Sequence, residues 1–228
     1  MSWPRAILFD LDGTLVHSAP DIADSLNLLL DQEGIEPFGL KAVTQMIGGG
    51  VPLLIERALT ARDEARDPAR LNDLSARFLA IYVPRAAEKT RLFPGVRDVL
   101  EHHHRNDVRL GVCTNKPEAV SRDILEALDV AHLFGAVVGG DTLSVKKPDP
   151  APLLKAVEHL GSKPAHAVMV GDSPADAGAA KAAGIPVILV TFGYTQTPVQ
   201  ELESHGIIDH FSELNGLMAE IHDKCPQS

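Results

Sequence analysis

The spacing of hydrophobic and polar residues changes twice along the chain. Near the N-terminus, an unbroken apolar run from Ala6 to Phe9 is typical of a buried strand, and it stops at Asp10. After Thr14 the apolar residues recur at helical spacing, and no strand pattern is present from about Pro37 to about Leu92. The spacing predicts four helices here, one from Pro20 to about Gly34 and the others over 40–47, 51–61 and 69–87.

From Val96 onward, predicted strands and helices alternate. The strands are expected at 108–113, 136–138, 167–170 and 187–190, with a short edge strand at 207–208. This alternation requires a parallel sheet with helices on both faces. The expected fold is therefore α/β, a Rossmann-like parallel sheet core with an inserted all-helical cap. The core domain would comprise 1–17 and 93–228, and the cap domain 18–92.

Capping patterns place the starts of three helices after Val96. Asn115 followed by Glu118 resembles a capping box, and Ser173 is a suitable N-cap before Pro174. Thr197 before Pro198 predicts a further helix start by the same reasoning. A last helix is expected over 214–221.

Composition and charge narrow the class of protein. The 228 residues are 45% hydrophobic and 23% charged, as in an ordinary globular protein, and the net charge is −10. Such a charge disfavours nucleic acid or an anionic membrane as the main partner. No run of eighteen apolar residues and no signal-peptide pattern is present, and Cys113 and Cys225 do not suggest a disulfide framework. We therefore expect a cytoplasmic location.

Polar residues follow the predicted strands and should meet at one edge of the sheet. The set comprises Asp10, Asp12, Thr114, Asn115, Lys146, Lys147, Asp172, Ser173 and Asp176. Carboxylates without histidine or cysteine favour a hard cation such as Mg²⁺, and a hydroxyl with a lysine suits a phosphate. An aspartate can attack phosphorus, and a second acid can transfer protons. Taken singly, Asp10 to Gly13 could be only a strand end with a turn, and Thr114-Asn115 only a helix cap.

Four of these stretches, in order, resemble the motifs of the haloacid dehalogenase superfamily. They are Asp10-Leu11-Asp12-Gly13-Thr14, Thr114-Asn115, Lys147-Pro148, and Gly171-Asp172-Ser173 with Asp176. The all-helical insertion is similar to that superfamily's first type of cap. Three further stretches resemble its bacterial phosphoglycolate phosphatase branch: Gly48-Gly49-Gly50, Phe93-Pro94-Gly95-Val96, and Lys147-Pro148 with Pro150.

The resemblance implies a role for each residue. Asp10 would be the nucleophile, and Asp12 would protonate the leaving oxygen and later deprotonate water. Asp10, the backbone carbonyl of Asp12, and Asp172 would hold Mg²⁺. The phosphoryl group would be bound by Thr114 and Lys147, with Asn115 beside them, and the metal site would be supported by Ser173 and Asp176. Lys147 is preferred to Lys146, which we expect to be solvated, because Lys147 directly precedes Pro148.

The implied function is a Mg²⁺-dependent phosphomonoesterase acting on a small phosphorylated metabolite, with 2-phosphoglycolate as the leading substrate. The alternatives are a sugar-phosphate phosphatase, a phosphomutase, or a non-catalytic phosphate-binding protein. The second acid, Asp12, speaks against the non-catalytic alternative. The chain would act as a monomer or homodimer.

The triple glycine has two interpretations. The amides around Gly49, Gly50 and Val51 could bind a distal carboxylate of the substrate, because a helix start exposes free amides. The run could equally be a simple connector between helices. The adjacent residues His102, His103 and His104 point about 100° apart on a helix and so cannot close on one metal ion.

Overall fold

The computed structural model describes residues 3–224 and centres on a six-stranded parallel sheet in the order β5-β4-β1-β6-β7-β8. The strands are β1 (Ala6–Phe9), β4 (Arg109–Cys113), β5 (Phe134–Val138), β6 (Ala167–Gly171), β7 (Val187–Val190) and β8 (Gly206–Ile208). β1 lies in the middle, where Ile7 pairs with Leu110 on one side and Val168 on the other. The strand order reverses at β1, which is the usual position of a ligand site in such sheets.

Five helices flank this sheet. They are α5 (Val96–Arg105), α6 (Glu118–Ala127), α7 (Ala151–His159), α8 (Pro174–Ala183) and α9 (Leu214–Lys224). α7 packs against β4 and β5, α8 packs against β6 and β7, and α5 packs against β4. The predicted α/β class and parallel sheet are confirmed, including the edge strand that contains residues 207 and 208.

Four further helices are inserted between β1 and the rest of the sheet. They are α1 (Ala19–Gln32), α2 (Leu40–Thr44), α3 (Val51–Thr60) and α4 (Pro68–Tyr82). α1 packs on α2 and α4, and α3 packs on α4, so the helices share an apolar interior that includes Leu26, Leu54 and Phe78. We propose that this unit is the cap, with the boundaries expected from the sequence.

A two-stranded antiparallel ribbon joins the inserted helices to the sheet. It pairs β2 (Val16–His17) with β3 (Arg91–Leu92). Neither strand was predicted, and the expectation of no strand from about Pro37 to about Leu92 is wrong at β3. Strands of two residues carry no periodicity, and this pair forms because the two ends of the insertion meet in space.

Two predicted helix starts are also wrong. Asn115 does not cap α6, since its side-chain amide donates to the Lys147 carbonyl at 3.0 Å and the residue preceding α6 is Pro117. The sequence after Thr197 forms only a single 3₁₀ turn, Val199–Glu201, before the chain continues toward β8. In both places a distant partner or the next strand overrides a local capping preference.

Other expectations concern the membrane and the cysteines. No helix within residues 3–224 is both long and apolar enough to cross a membrane. Cys113 is buried in β4, as expected for a small hydrophobe, and burial raises the pKa of its thiol to about 12. Cys225 lies outside the described residues.

Candidate active site

The site forms where the central strands end at the carboxyl edge of the sheet. Asp10 directly follows β1, Thr114 follows β4, and Asp172 follows β6. Lys147 comes from the longer loop between β5 and α7. Since β4, β1 and β6 are neighbours in the sheet, these predicted site residues are brought together as expected.

Three buried carboxylates lie at the centre of the site. An oxygen of each of Asp10, Asp172 and Asp176 lies within 4.8 Å of the others, and each side chain is almost inaccessible to solvent. Asp176, expected only as support, therefore belongs to the cluster itself. The side chain of Asp12 points away from this cluster and binds other partners.

Lys147 is the cation of this cluster. Its Nζ lies 3.1 Å from Asp10 Oδ1 and donates to Asp176 Oδ1 at 2.5 Å and to the Cys113 carbonyl at 2.7 Å. Burial alone would lower the pKa of Lys147, but the adjacent carboxylates outweigh it and raise that pKa. Lys147 is therefore a permanently charged ammonium beside Asp10.

The charges of the cluster do not balance. Three carboxylates face one ammonium, which leaves a formal surplus of two negative charges in a buried volume. Burial raises the pKa of Asp10 to about 6, with Lys147 acting in the opposite direction. Burial and the charges of Asp10 and Asp176 also raise the pKa of Asp172 well above its usual value. A divalent cation with a preference for oxygen ligands fits this donor set and this charge.

The backbone around Asp172 fixes the direction of its carboxylate. The hydroxyl of Thr14 donates to Asp172 Oδ1 at 3.1 Å, and the amide of Tyr194 donates to Oδ2 at 2.6 Å. Gly13 has φ of +85°, and a Cβ there would lie 2.6 Å from Asp172 Oδ2. A residue with a side chain would therefore displace the Asp172 carboxylate, so only glycine fits in this turn.

Asp176 is oriented by the start of α8. The predicted N-cap is confirmed, since Ser173 and Asp176 form a complete capping box. Asp176 Oδ2 accepts hydrogen bonds from the amides of Asp172 and Ser173 and from the Ser173 hydroxyl. Its other oxygen is thereby directed to Lys147.

Asp12 forms a separate pair with a lysine that the sequence interpretation had not included. Lys116 Nζ donates to Asp12 Oδ1 and Oδ2 at 3.1 and 3.0 Å, and the Ser18 hydroxyl donates to Oδ1 at 2.6 Å. Asp12 is therefore held two residues from Asp10 without sharing its partners.

Comparison with known proteins assigns the family. The sequence profile of haloacid dehalogenase-like hydrolases matches residues 7–190, which contain every residue of the cluster just described. The chain belongs to the haloacid dehalogenase-like hydrolase family. The four ordered stretches identified from the sequence lie within the matched residues, and the predicted resemblance is confirmed.

Several of its relatives in this family carry the name phosphoglycolate phosphatase. The chain is 46% identical to a phosphoglycolate phosphatase of Cereibacter sphaeroides over 212 residues, which cover 93% of this chain and 96% of the relative. It is 45% identical to that of Rhodospirillum rubrum over 216 residues, 92% and 89% of the two chains. A crystal structure described as a predicted phosphoglycolate phosphatase from Haemophilus somnus superposes with a TM-score of 0.89 at 32% identity, covering 95% and 99%.

In this haloacid dehalogenase-like hydrolase, a small inner cavity lies between the sheet edge and the inserted helices. The core contributes Asp10, Asp12, Thr114, Asn115 and Lys116, and the helices contribute mainly apolar side chains, Ile22, Val51, Leu54, Phe78 and Tyr82. The space inside is about 50 Å³. It therefore suits a ligand fragment of a few heavy atoms.

The triple glycine closes one side of this inner cavity. Gly48, Gly50 and Val51 line it at the start of α3, while Gly49 faces an outer cleft on the other side of the same segment. Lys146 is exposed, as expected, but it is not merely solvated. Its Nζ donates to the Gly49 carbonyl at 2.7 Å and so ties the core loop to the segment before α3.

Thr114 and Asn115 lie beside the cluster, but the structure gives them different surroundings. Thr114 is buried, and its hydroxyl helps to lower the pKa of Asp10. Asn115 holds the Lys147 backbone, and its Oδ1 is buried without a hydrogen-bond partner among the described residues. The signal that could have revealed Lys116 is its place in the same loop after β4, two residues beyond Thr114.

Proposed function

We propose that this protein is a Mg²⁺-dependent phosphomonoesterase that hydrolyses 2-phosphoglycolate to glycolate and phosphate. The observation that carries the proposal is the separation of two aspartates with different partners. Asp10 lies with Lys147 in a cluster that calls for a divalent cation, whereas Asp12 is held outside that cluster by Lys116 and Ser18. One carboxylate is thus arranged for attack and the other for proton transfer.

The first step is attack of the Asp10 carboxylate on phosphorus. The bond between phosphorus and the ester oxygen breaks, and Asp12 acts as the general acid that gives a proton to the glycolate oxygen. This step leaves an aspartyl phosphate on Asp10. In the second step, Asp12 takes a proton from a water molecule that attacks phosphorus, and the bond between Asp10 and phosphorus breaks to release phosphate.

The metal site would be formed by the carboxylates of Asp10 and Asp172 with the backbone carbonyl of Asp12. The carboxylate of Asp176 would add a third negative charge close to the metal ion. When bound, Mg²⁺ supplies Lewis-acid stabilisation of the negative charge on the transferring phosphoryl group. Lys147 and Thr114 would bind the same phosphoryl oxygens from the opposite side.

The size and lining of the inner cavity favour a short substrate over a sugar phosphate. Its helical side is mostly apolar, with Ile22, Leu54 and Phe78, and so offers few hydrogen bonds to sugar hydroxyls. The relatives named phosphoglycolate phosphatase support the same choice. The amides around Gly49 to Val51 are proposed to approach the substrate carboxylate at the start of α3.

The test is release of phosphate from a panel of small phosphate esters. We expect 2-phosphoglycolate to give a higher kcat/KM than sugar phosphates, and turnover to disappear with excess EDTA and return with Mg²⁺. Asp10→Asn serves as the control for contaminating phosphatases. A preference for a sugar phosphate, or full activity of metal-free protein, would contradict the proposal.

A further inference from the structure

Lys116 is an ammonium placed in an apolar cavity with a single anionic partner. Its side chain is 5% exposed, and it donates two hydrogen bonds to the carboxylate of Asp12, with the Tyr82 hydroxyl also beside its ammonium. An ammonium group has three N–H donors and no acceptor. One carboxylate therefore leaves Lys116 with capacity for another acceptor, and the inner cavity is the space that Lys116 lines.

Tyr82 presents a second unused donor beside Lys116. The Lys116 ammonium lies 4.6 Å from the centre of the Tyr82 ring, at the end of α4. Tyr82 is 2% exposed, and its hydroxyl donates no hydrogen bond to a described residue, because the Lys116 ammonium beside it can donate to the oxygen but cannot accept from the O–H. A buried O–H without an acceptor is unfavourable in the free protein, so its presence calls for an explanation.

The two donors lie side by side but come from different parts of the fold. Lys116 belongs to the core loop after β4, and Tyr82 belongs to the inserted helices. Between them and the triple glycine the cavity is lined by apolar side chains such as Leu54 and Phe78. A ligand group that satisfies both donors must be an acceptor, must be small, and gains most if it is negatively charged.

We propose that Lys116 and Tyr82 form a carboxylate subsite that selects short phosphorylated acids. In this arrangement Lys116 bridges Asp12 and the carboxylate of the substrate, while the Tyr82 hydroxyl donates to the same carboxylate. The inference rests on the proposed function, because it names the residues that recognise the acid end of that substrate.

The chemistry of 2-phosphoglycolate fits this bridge. A single methylene separates its ester oxygen from its carboxyl group. Asp12 must reach the ester oxygen to transfer a proton, and Lys116 is hydrogen-bonded to Asp12. A group one methylene beyond the ester oxygen therefore falls beside the Lys116 ammonium. The amides at the start of α3 carry only partial charge, so the full counter-charge comes from Lys116.

The experiment compares 2-phosphoglycolate with ethyl phosphate, which has a methyl group in place of the carboxylate. The readout is the ratio of the two kcat/KM values in Mg²⁺. Tyr82→Phe keeps the ring and removes only the hydroxyl, so it should lower the value for 2-phosphoglycolate about tenfold and leave ethyl phosphate within about twofold.

Lys116→Met should lower the ratio further, by about 10- to 100-fold. It should also slow both substrates, because Asp12 loses its partner, and for this reason the ratio is the deciding quantity. Lys116→Arg should restore part of the ratio.

Lys155→Met removes an exposed lysine that pairs with Glu158 and is the matched control for loss of a charge. Circular dichroism checks that each variant is folded.

The outcomes separate the subsite from the proposed function. A wild-type enzyme that does not hydrolyse 2-phosphoglycolate overturns both, whereas one that hydrolyses it without preference over ethyl phosphate overturns only the subsite. A wild-type preference that survives in Tyr82→Phe and Lys116→Met overturns the subsite and leaves the function standing. Equal losses on both substrates in these variants also overturn the subsite, since Lys116 and Tyr82 would then act only through Asp12.

Discussion

At the scale of single residues, the site contains two lysines whose carboxylate partners are different. Lys147 contacts Asp10 and Asp176, and Lys116 contacts Asp12. Two aspartates that are separated by one residue in sequence therefore have different surroundings. Environments that differ in this way allow two carboxylates to take different roles in one reaction.

The two adjacent lysines should respond very differently to substitution. Lys147→Met removes a buried charge from the phosphoryl site and should lower kcat by about 10² to 10³. Lys146→Met is the matched control and should change kcat/KM by less than about fivefold, because it loses only an exposed hydrogen bond to Gly49. Steady-state kinetics with 2-phosphoglycolate measures both variants. The reverse order would assign the phosphoryl-binding role to Lys146.

The positions of Asp10, Thr114, Lys147 and Asp172 could be predicted because each follows an apolar strand or lies in the next loop. Partners that depend on packing could not be predicted in this way. Lys116 resembles a solvated residue in a helix-start sequence, and only the fold places Asp12 and Tyr82 around it. The same limit explains Asn115, whose amide is used by the Lys147 backbone instead of a helix cap.

At the scale of elements, the start of α3 determines how closely the inserted helices approach the core. Gly50 precedes α3 with φ of +85° and ψ of 174°, a conformation that is essentially restricted to glycine. A Cβ on Gly50 would lie 3.2 Å from the Asn115 carbonyl and 3.5 Å from Lys146 Nζ. The glycine thus permits the contact between α3 and the loop after β4.

Gly50→Ala should therefore impair recognition of the substrate carboxylate. We expect kcat/KM for 2-phosphoglycolate to fall about tenfold or more, and the value for ethyl phosphate to fall less. Gly39→Ala is the matched control in the same unit, since a Cβ there has no atom within 4 Å. Equal losses for both substrates would show that Gly50 serves packing in general and would remove the amides from the recognition site.

The secondary-structure elements fall into two groups, those that the local sequence determines and those that long-range contacts determine. Strands such as β1 and β7 are apolar runs bounded by polar or glycine residues, so their limits follow from the sequence. The ribbon of β2 and β3 is defined by pairing across the whole insertion, and residues 197–200 are limited to a 3₁₀ turn by the approach to β8. No local sequence pattern predicts either the ribbon or the 3₁₀ turn.

At the scale of the whole molecule, the inserted helices lie over the carboxyl edge of the sheet and are held there by few polar contacts. The ribbon of β2 and β3 carries both chain connections, at residues 16–17 and 91–92. Two long core side chains reach the segment between α2 and α3, Lys146 at Gly49 and Gln196 at Gln45. This arrangement supports the proposed division into a core and a cap, with the site enclosed between them.

The net charge of the whole molecule and the local charges in the site also act differently on an anionic ligand. A net charge of −10 keeps the surface unsuited to polyanions, whereas the site places Lys116 and Lys147 where an anion would bind. A small anionic ester is therefore bound by buried local charges, against the general field of the protein. The metal ion proposed for the cluster would strengthen this local effect.

The central claim is that Asp10 carries the phosphoryl group between the two steps, and trapping that intermediate tests it most directly. Asp12→Asn retains an oxygen that accepts from Lys116 and Ser18, so the buried ammonium keeps a hydrogen-bond partner while it loses its counter-charge. It should slow turnover by about 10² to 10⁴, because positioned proton transfer is lost. An aryl phosphate, whose leaving group needs no proton, should still react in the first step.

The measurement is intact-protein mass spectrometry after acid quench of Asp12→Asn with Mg²⁺ and an aryl phosphate. We predict a mass increase of one phosphoryl group, localised by peptide mapping to Asp10 and missing when Asp10→Asn is added. A variant that releases phosphate steadily without ever gaining this mass, or that gains it at another residue, would contradict the account.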